Sequence, residues 1–241
     1  MAIVTTKAIV ISSIKYSDSS LIVKLYTQEY GLTSYMIKGI LKSKKGKLKA
    51  AYFQPLTILS IVASHQEKRS LQSLREAQVQ HVYKTLHSDV IKQSVVMFLA
   101  EVLSLSIQEE ESNELLFDYL ENAFLWFDSH DKFSHFHLLF LVNLTKFLGF
   151  YPDTSNIKKE GFHLREGIFT DAVHDKEIYK GDEVFQLKKL LGINFDAIES
   201  IKFSKTQRRG FLRMLIRYFE LHLDGFKNPK SLSVLEAVFS R

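Results

Sequence analysis

Three adjoining pieces decide the fold class: Leu21-Ile22-Val23-Lys24-Leu25-Tyr26, the turn Glu29-Tyr30-Gly31, and the run from Leu32 to Gly39. In the first, Leu21, Val23 and Leu25 alternate with Ile22, Lys24 and Tyr26, a period of two. In the last, Tyr35 and Ile37 share one face and Met36 and Lys38 the other. Gly31 supplies the positive φ that a tight turn needs. Two strands joined this closely form an antiparallel hairpin. Working outward, Ala8 to Ile14 is short and β-branched, Leu56 to Ala63 follows Pro55, and Leu71 to Val79 gives a fifth strand. Five short strands in about eighty residues predict a small barrel or a tightly curled sheet.

From His81 onward the period changes to that of helices. Val90, Ile91, Val95, Phe98, Leu99, Val102 and Leu103 mark a helix over Val90 to Ile107. Ser112 is placed to cap a second, which runs to about Phe127 through Leu115, Leu116, Tyr119, Leu120, Phe124 and Leu125. A third, from about Lys132 to Leu148, is apolar almost all round and is predicted to be central, with Gly149 ending it. An irregular polar segment, 153–182, precedes helices at Val184 to Leu191, Lys205 to Leu223 and Ser231 to Phe239. The expected organisation is an α+β chain: an all-β domain over 1–80 and a helical domain over 81–241.

Composition narrows the function. The 241 residues are 46% hydrophobic and include no cysteine. Disulfides, iron–sulfur clusters, thiolate zinc sites and cysteine nucleophiles are therefore excluded. The longest apolar runs are too short to span a bilayer, and Ser12, Ser13 and Lys15 interrupt the stretch from Ala8. A cytoplasmic protein without membrane contact is expected. The net charge of +5 is unevenly spread. Residues 1–80 hold ten Lys and two Arg against four acids, a net +8, whereas residues 81–241 hold 20 bases against 23 acids. Such asymmetry points to a nucleic-acid or acidic-partner surface on the first module.

Two basic features stand out. Lys38, Lys42, Lys44, Lys45, Lys47 and Lys49 fall within twelve residues, with Tyr52 and Phe53 following. A basic groove follows phosphates, and aromatic rings offer faces on which bases stack. Lys24 and Lys38, opposite the core-facing Leu25 and Ile37, would form the groove floor. The other reading of this loop is a solvated hairpin. Its glycine spacing is not that of a nucleotide-binding loop, because six residues rather than four separate Gly39 from Gly46-Lys47 and Leu48 stands where Ser or Thr is needed. The second feature is a stripe, Lys205, Arg209, Arg213 and Arg217, with Arg208 beside it. Guanidinium forks suit phosphates or the carboxylates of an acidic peptide. The other reading is a solvated face paired with acids of the same module.

No catalytic constellation is present: there is no GxSxG elbow, no GxGxxG fingerprint and no paired carboxylates. His130, His135, His137, His163 and His174 lack the spacing of a metal site, so neither metal nor cofactor is expected.

The ordered set Ala8-Ile9-Val10-Ile11, Tyr16-Ser17-Asp18-Ser19-Ser20-Leu21-Ile22, Leu25-Tyr26-Thr27, Tyr30-Gly31, Lys38-Gly39-Ile40, Gln54-Pro55-Leu56 and Leu74-Arg75-Glu76-Ala77 resembles the RecO family of bacterial recombination mediators. Phe117-Asp118-Tyr119-Leu120, Leu148-Gly149-Phe150-Tyr151-Pro152, Lys230-Ser231-Leu232 and Val234-Leu235 extend the resemblance over the whole chain. It implies an OB-fold five-stranded barrel followed by a helical domain. It implies binding and annealing of single- and double-stranded DNA, and action in DNA repair and recombination on the nucleoid. The implied partners are RecR, RecF, RecA indirectly, and the acidic C-terminal tail of single-strand-binding protein (SSB). It implies no enzyme. The alternative is a non-enzymatic adaptor whose basic helix binds an acidic peptide. Many relatives carry a four-cysteine zinc site after the Leu-Gly-x-x-Pro stretch. Here the segment has no cysteine, His163 and His174 cannot complete a site, and Phe162, Leu164, Ile168 and Phe169 are expected to hold it by packing.

Overall fold

The computed structural model describes residues 2–42, 48–66, 69–107, 111–172 and 174–240. The chain divides into two compact units, Met1–Asp128 and Ser129–Arg241. The switch from strand to helix near residue 80 is where the periodicity places it, while the first compact unit also takes in two helices.

The first unit contains a closed barrel in the order β1-β2-β3-β5-β4, the order of an OB-fold, from β1 (Ala2–Lys15), β2 (Leu21–Thr27), β3 (Gly31–Ile37), β4 (Ile58–His65) and β5 (Leu71–Val79). Closure depends on β1. Its first half pairs with β4, from Ala2↔His65 to Ile9↔Ile58, and its second half with β2, from Ala8↔Thr27 to Lys15↔Leu21. The register shifts between Val10 and Ser12, an irregularity of the kind that bends a strand from one neighbour to the next. The seam is closed by a short parallel ladder in which Ser34, Tyr35 and Met36 of β3 meet Leu71, Gln72 and Ser73 of β5. Val10, Val23, Leu25, Tyr35, Ile37, Leu59, Ile61 and Leu74 fill the interior, as the period of two requires.

The fourth strand starts at Ile58 rather than Leu56. Leu56 has φ +62° and lies in the left-handed region, outside strand geometry. Its backbone N–H instead donates to Val10 O at 2.7 Å.

Two helices, α1 (Val90–Ser106) and α2 (Glu114–Ser129), follow the barrel. α1 packs on β1. The Tyr26 ring of β2 stacks on Phe117 of α2 at 6.2 Å, and Lys7 Nζ on β1 pairs with Glu121 at 2.9 Å. This explains why four consecutive residues, Ala8 to Ile11, are all buried. One face of β1 turns into the barrel and the other lies beneath helices. β3 and the first four residues of β2 keep a strict alternation of buried and accessible residues. Two helix details differ from the periodicity reading. Val90, Ile91 and Leu115 are exposed, because they stand on the first turns where no neighbour covers them. The second helix is capped by Asn113, whose Oδ1 accepts the Leu116 N–H at 3.0 Å, rather than by Ser112.

In the second unit, α3 (Phe136–Phe147) is buried at every position from Phe136 to Thr145. It packs with α4 (Asp182–Leu190) and α5 (Lys205–His222), and α6 (Leu232–Ser240) lies on α5. Within 153–182 the chain forms a small antiparallel sheet, β7-β6-β8, from β6 (Gly161–His163), β7 (Ile168–Thr170) and β8 (Ile178–Tyr179). Phe162, Leu164 and Phe169 are buried there, but Ile168 is exposed, because it alternates with Phe169 and faces away from the core. No helix of the described residues is long and apolar enough to cross a membrane.

Candidate nucleic-acid interface

Lys24 stands on the outer face of β2 opposite Ser34 of β3. It lines a cleft of about 570 Å³ together with Tyr30, Ser34, His65, Arg69 and Gln72. Lys38, exposed at the end of β3, lines a second cleft of about 650 Å³ with Met36, Arg69, Gln72, Ser73 and Arg75. Arg69 and Gln72 belong to both, so the two clefts adjoin along the β3–β5 seam.

The loop between β4 and β5 is built to present Arg69. Gln72 is buried, and its side-chain amide accepts from Gln66 N–H at 3.0 Å and donates to Gln66 O at 2.9 Å and Arg69 O at 2.6 Å. The Arg69 N–H donates to Gln66 O at 3.0 Å. One inward glutamine thus holds both ends of the turn, and the Arg69 side chain is left exposed.

Charge pairing separates these cations from others on the chain. Among the described residues, Lys24, Lys38, Arg69 and Arg75 make no ion pair, whereas Lys7 is taken by Glu121. An unpaired cation in an open cleft retains its full attraction for a phosphate.

The lysine loop is only partly described. Lys44, Lys45 and Lys47 lie outside the described residues. Gly39 turns the chain at φ +73°, and Leu41 N–H donates to Ser19 O at 3.1 Å. Lys42 and Lys49 are exposed. Lys49 Nζ lies 5.9 Å from the centre of the Tyr52 ring, which is half-buried against the barrel core. Phe53, expected to stack on bases, is 2% exposed and belongs to that core. Its backbone forms a short 3-10 turn (Ala50–Phe53), which points the ring inward and removes it from solvent.

The sequence reading missed Tyr30, His65, Arg69 and Arg75. Arg75 had a signal: it alternates with Gln72 and Leu74 on β5 and so faces out. Arg69 had none, because the parallel register that places it beside β3 has no counterpart in local periodicity.

In the second unit the basic stripe of α5 divides in two. A capping box fixes its start: Ser204 Oγ accepts Gln207 N–H at 3.1 Å, and Gln207 Oε1 accepts Ser204 N–H at 2.9 Å. Lys205, Arg208 and Arg209 then rim a cavity of about 130 Å³ floored by His137, Leu212, Leu235 and Phe239. Burial, with His135 and Arg208 nearby, pushes His137 down to about 3, so the floor is neutral at ordinary pH. Arg208 is half-buried. Its Nη1 donates to Phe203 O at 3.3 Å, its guanidinium lies 5.8 Å from the Phe239 ring, and its buried Nε has no partner. Arg209 is exposed and unpaired among the described residues. The other half of the stripe is engaged. Arg213 makes a two-pronged pair with Glu236 of α6 at 2.8 and 2.9 Å, and Arg217 pairs with Glu177 at 2.7 Å and Glu220 at 3.3 Å. These two tie elements of the unit together, so of the stripe Lys205–Arg217, expected to bind a partner, only Lys205, Arg208 and Arg209 border this cavity.

No group of three or more metal-ligating side chains occurs among the described residues. His163 pairs with Asp175 at 3.3 Å and His174 is exposed, so the small sheet does not fit a zinc ion.

The comparisons agree along the whole chain. A model of the recombination protein O N-terminal domain matches residues 1–83, and one of its C-terminal domain matches residues 87–232. The chain is 51% identical over 237 residues to a DNA repair protein RecO of Christiangramia forsetii, covering 98% of this chain and 99% of the relative. It is 47% identical over 237 residues to that of Flavobacterium johnsoniae, with the same coverage. It is 34% identical over 245 residues to that of Phocaeicola vulgatus, covering 98% of each. With an OB-order barrel, a helical second unit and matches that run from end to end, the chain belongs to the recombination protein O family.

Proposed function

We propose that this chain is a DNA repair and recombination mediator that binds nucleic acid along the β3–β5 seam of its barrel. The observation that carries the reading is the set of four unpaired cations, Lys24, Lys38, Arg69 and Arg75, in two adjoining clefts. Such cations displace the counterions condensed on nucleic-acid phosphates, so the surface binds single and double strands irrespective of sequence. Two strands held on one basic surface without base-specific contacts are free to pair, which is what annealing requires. The reading includes RecR and RecF as partners in loading RecA onto DNA coated by SSB. It assigns no catalytic turnover and a cytoplasmic place on the nucleoid.

A titration of labelled single-stranded DNA at several salt concentrations tests it. Each phosphate contact on a single strand contributes roughly −0.7 to the salt slope, so changing Lys38, Arg69 and Arg75 together to Ala should flatten the slope by about two units. Affinity should fall alike for all sequences. An unchanged slope would remove the seam from the interface.

A second reading is favoured by the α5–α6 cavity. Its neutral apolar floor and cationic rim suit an acidic peptide carrying an aromatic side chain, such as the tail of SSB. As an adaptor the chain would use this cavity alone; as a mediator it would use both surfaces.

A further inference from the structure

We propose that Tyr30 and His65 form a platform on which one unpaired nucleobase stacks, so that the barrel distinguishes single strands from duplex. The proposal rests on the nucleic-acid reading above and adds to it a site for the base. The two rings stack with centroids 4.3 Å apart and an interplanar angle of 27°. One comes from the β2–β3 turn and the other from the end of β4, and both line the cleft that holds Lys24 and Arg69. The cleft opens where the seam is incomplete. β5 pairs with β3 only across Ser34 to Met36, so Gly31 to Thr33 have no strand partner on that side.

Three features point to a base rather than to a phosphate alone. Both rings are half-buried, which leaves part of the stack accessible from the cleft. His65 Nδ1 is buried and has no hydrogen-bond partner. Lys24 and Arg69 line the same cleft as the rings, so a backbone whose base stacks there meets cations in that cleft. A duplex keeps its bases stacked on one another and shows phosphates only, so it gains nothing from the rings.

The test compares a labelled thymidine oligonucleotide with a duplex of equal length, each at several salt concentrations. Stacking on one aromatic side chain changes affinity by about 5- to 150-fold. Tyr30→Ala should lose that factor on the single strand and stay within about twofold on the duplex. Its salt slope should be unchanged, because stacking releases no counterions. Tyr30→Phe should bind as the unaltered chain does. Tyr30→Leu keeps apolar bulk without a ring face, so it should reproduce the loss even where Tyr30→Ala lowers the melting temperature. An equal loss on both substrates, or no loss on either, would overturn the platform while leaving the cationic seam in place. Failure of the unaltered chain to bind DNA at all would overturn both.

Discussion

Asp128 shows how one residue organises its surroundings. It is 4% exposed, and its carboxylate accepts backbone N–H groups from Lys84 at 3.0 Å, Thr85 at 2.8 Å and Leu86 at 2.9 Å. Burial pushes its pKa up, but the three backbone donors and the Thr85 hydroxyl outweigh it, and the net shift is downward. Lys92, 1% exposed, completes the junction by donating from Nζ to Thr85 Oγ1 at 2.7 Å, Phe127 O at 2.8 Å and Asp128 O at 3.0 Å. Because the folded pKa lies below the unfolded value of about 3.9, the carboxylate stabilises the fold above that pH. The contribution is lost as pH falls through the folded pKa. Asp128→Ala should therefore lower unfolding free energy at neutral pH by about 3 kcal/mol, since it takes the acceptor from three backbone donors, of which the Leu86 N–H is fully buried. Its stability should also depend less on pH in the acid limb, which denaturant titrations at pH 3 to 7 would reveal. Equal acid sensitivity in both proteins would show that other carboxylates govern that limb. Periodicity did not find this junction. It placed Val90 and Ile91 on the covered face, whereas Lys92 is the buried residue of that turn.

At the scale of elements, the small sheet of the second unit is informative. Strands of three, three and two residues cannot stand alone. Phe162 supports them, with its ring 5.0 Å from Phe169 and 5.6 Å from Tyr218 of α5. Arg217 of α5 reaches the buried Glu177, whose carboxyl it holds below the usual range. Packing and one ion pair thus tie the small sheet to α5. Phe162→Ala should cost roughly 3–5 kcal/mol, as aromatic truncations in packed cores do. A chelator should leave the melting temperature of the unaltered chain where it was. Stoichiometric zinc after purification, or a fall of several degrees with chelator, would show that a metal holds the segment. The cysteine-free sequence indicated a packed segment, but Ile168, expected to pack beside Phe169, is turned outward by the alternation of β7. The contribution of α5, some forty residues away, was not legible, because no local pattern encodes a contact at that separation.

At the scale of the molecule, the two basic features belong to different compact units. Arg209→Glu should weaken binding of an acidic peptide ending in Phe by about tenfold, the effect of losing one charge-assisted contact. It should leave the salt slope for DNA unchanged. Fluorescence anisotropy with both ligands checks this, and a parallel loss of DNA affinity would merge the two surfaces into one. The five strands, their inward faces, the change to helices near residue 80 and the buried character of α3 are legible in the residues alone. Those are properties of neighbouring residues, and the period of two or 3.6 expresses them directly. Which cations are available depends instead on how the chain folds back on itself. Lys7 and Glu121 meet across more than a hundred residues, Arg213 and Arg217 are claimed by acids from other elements, and Arg69 reaches the lysine-bearing side through a parallel ladder of three residue pairs. A charge acts over a few ångströms of space whatever the distance along the chain, so the local pattern carries no record of its partner.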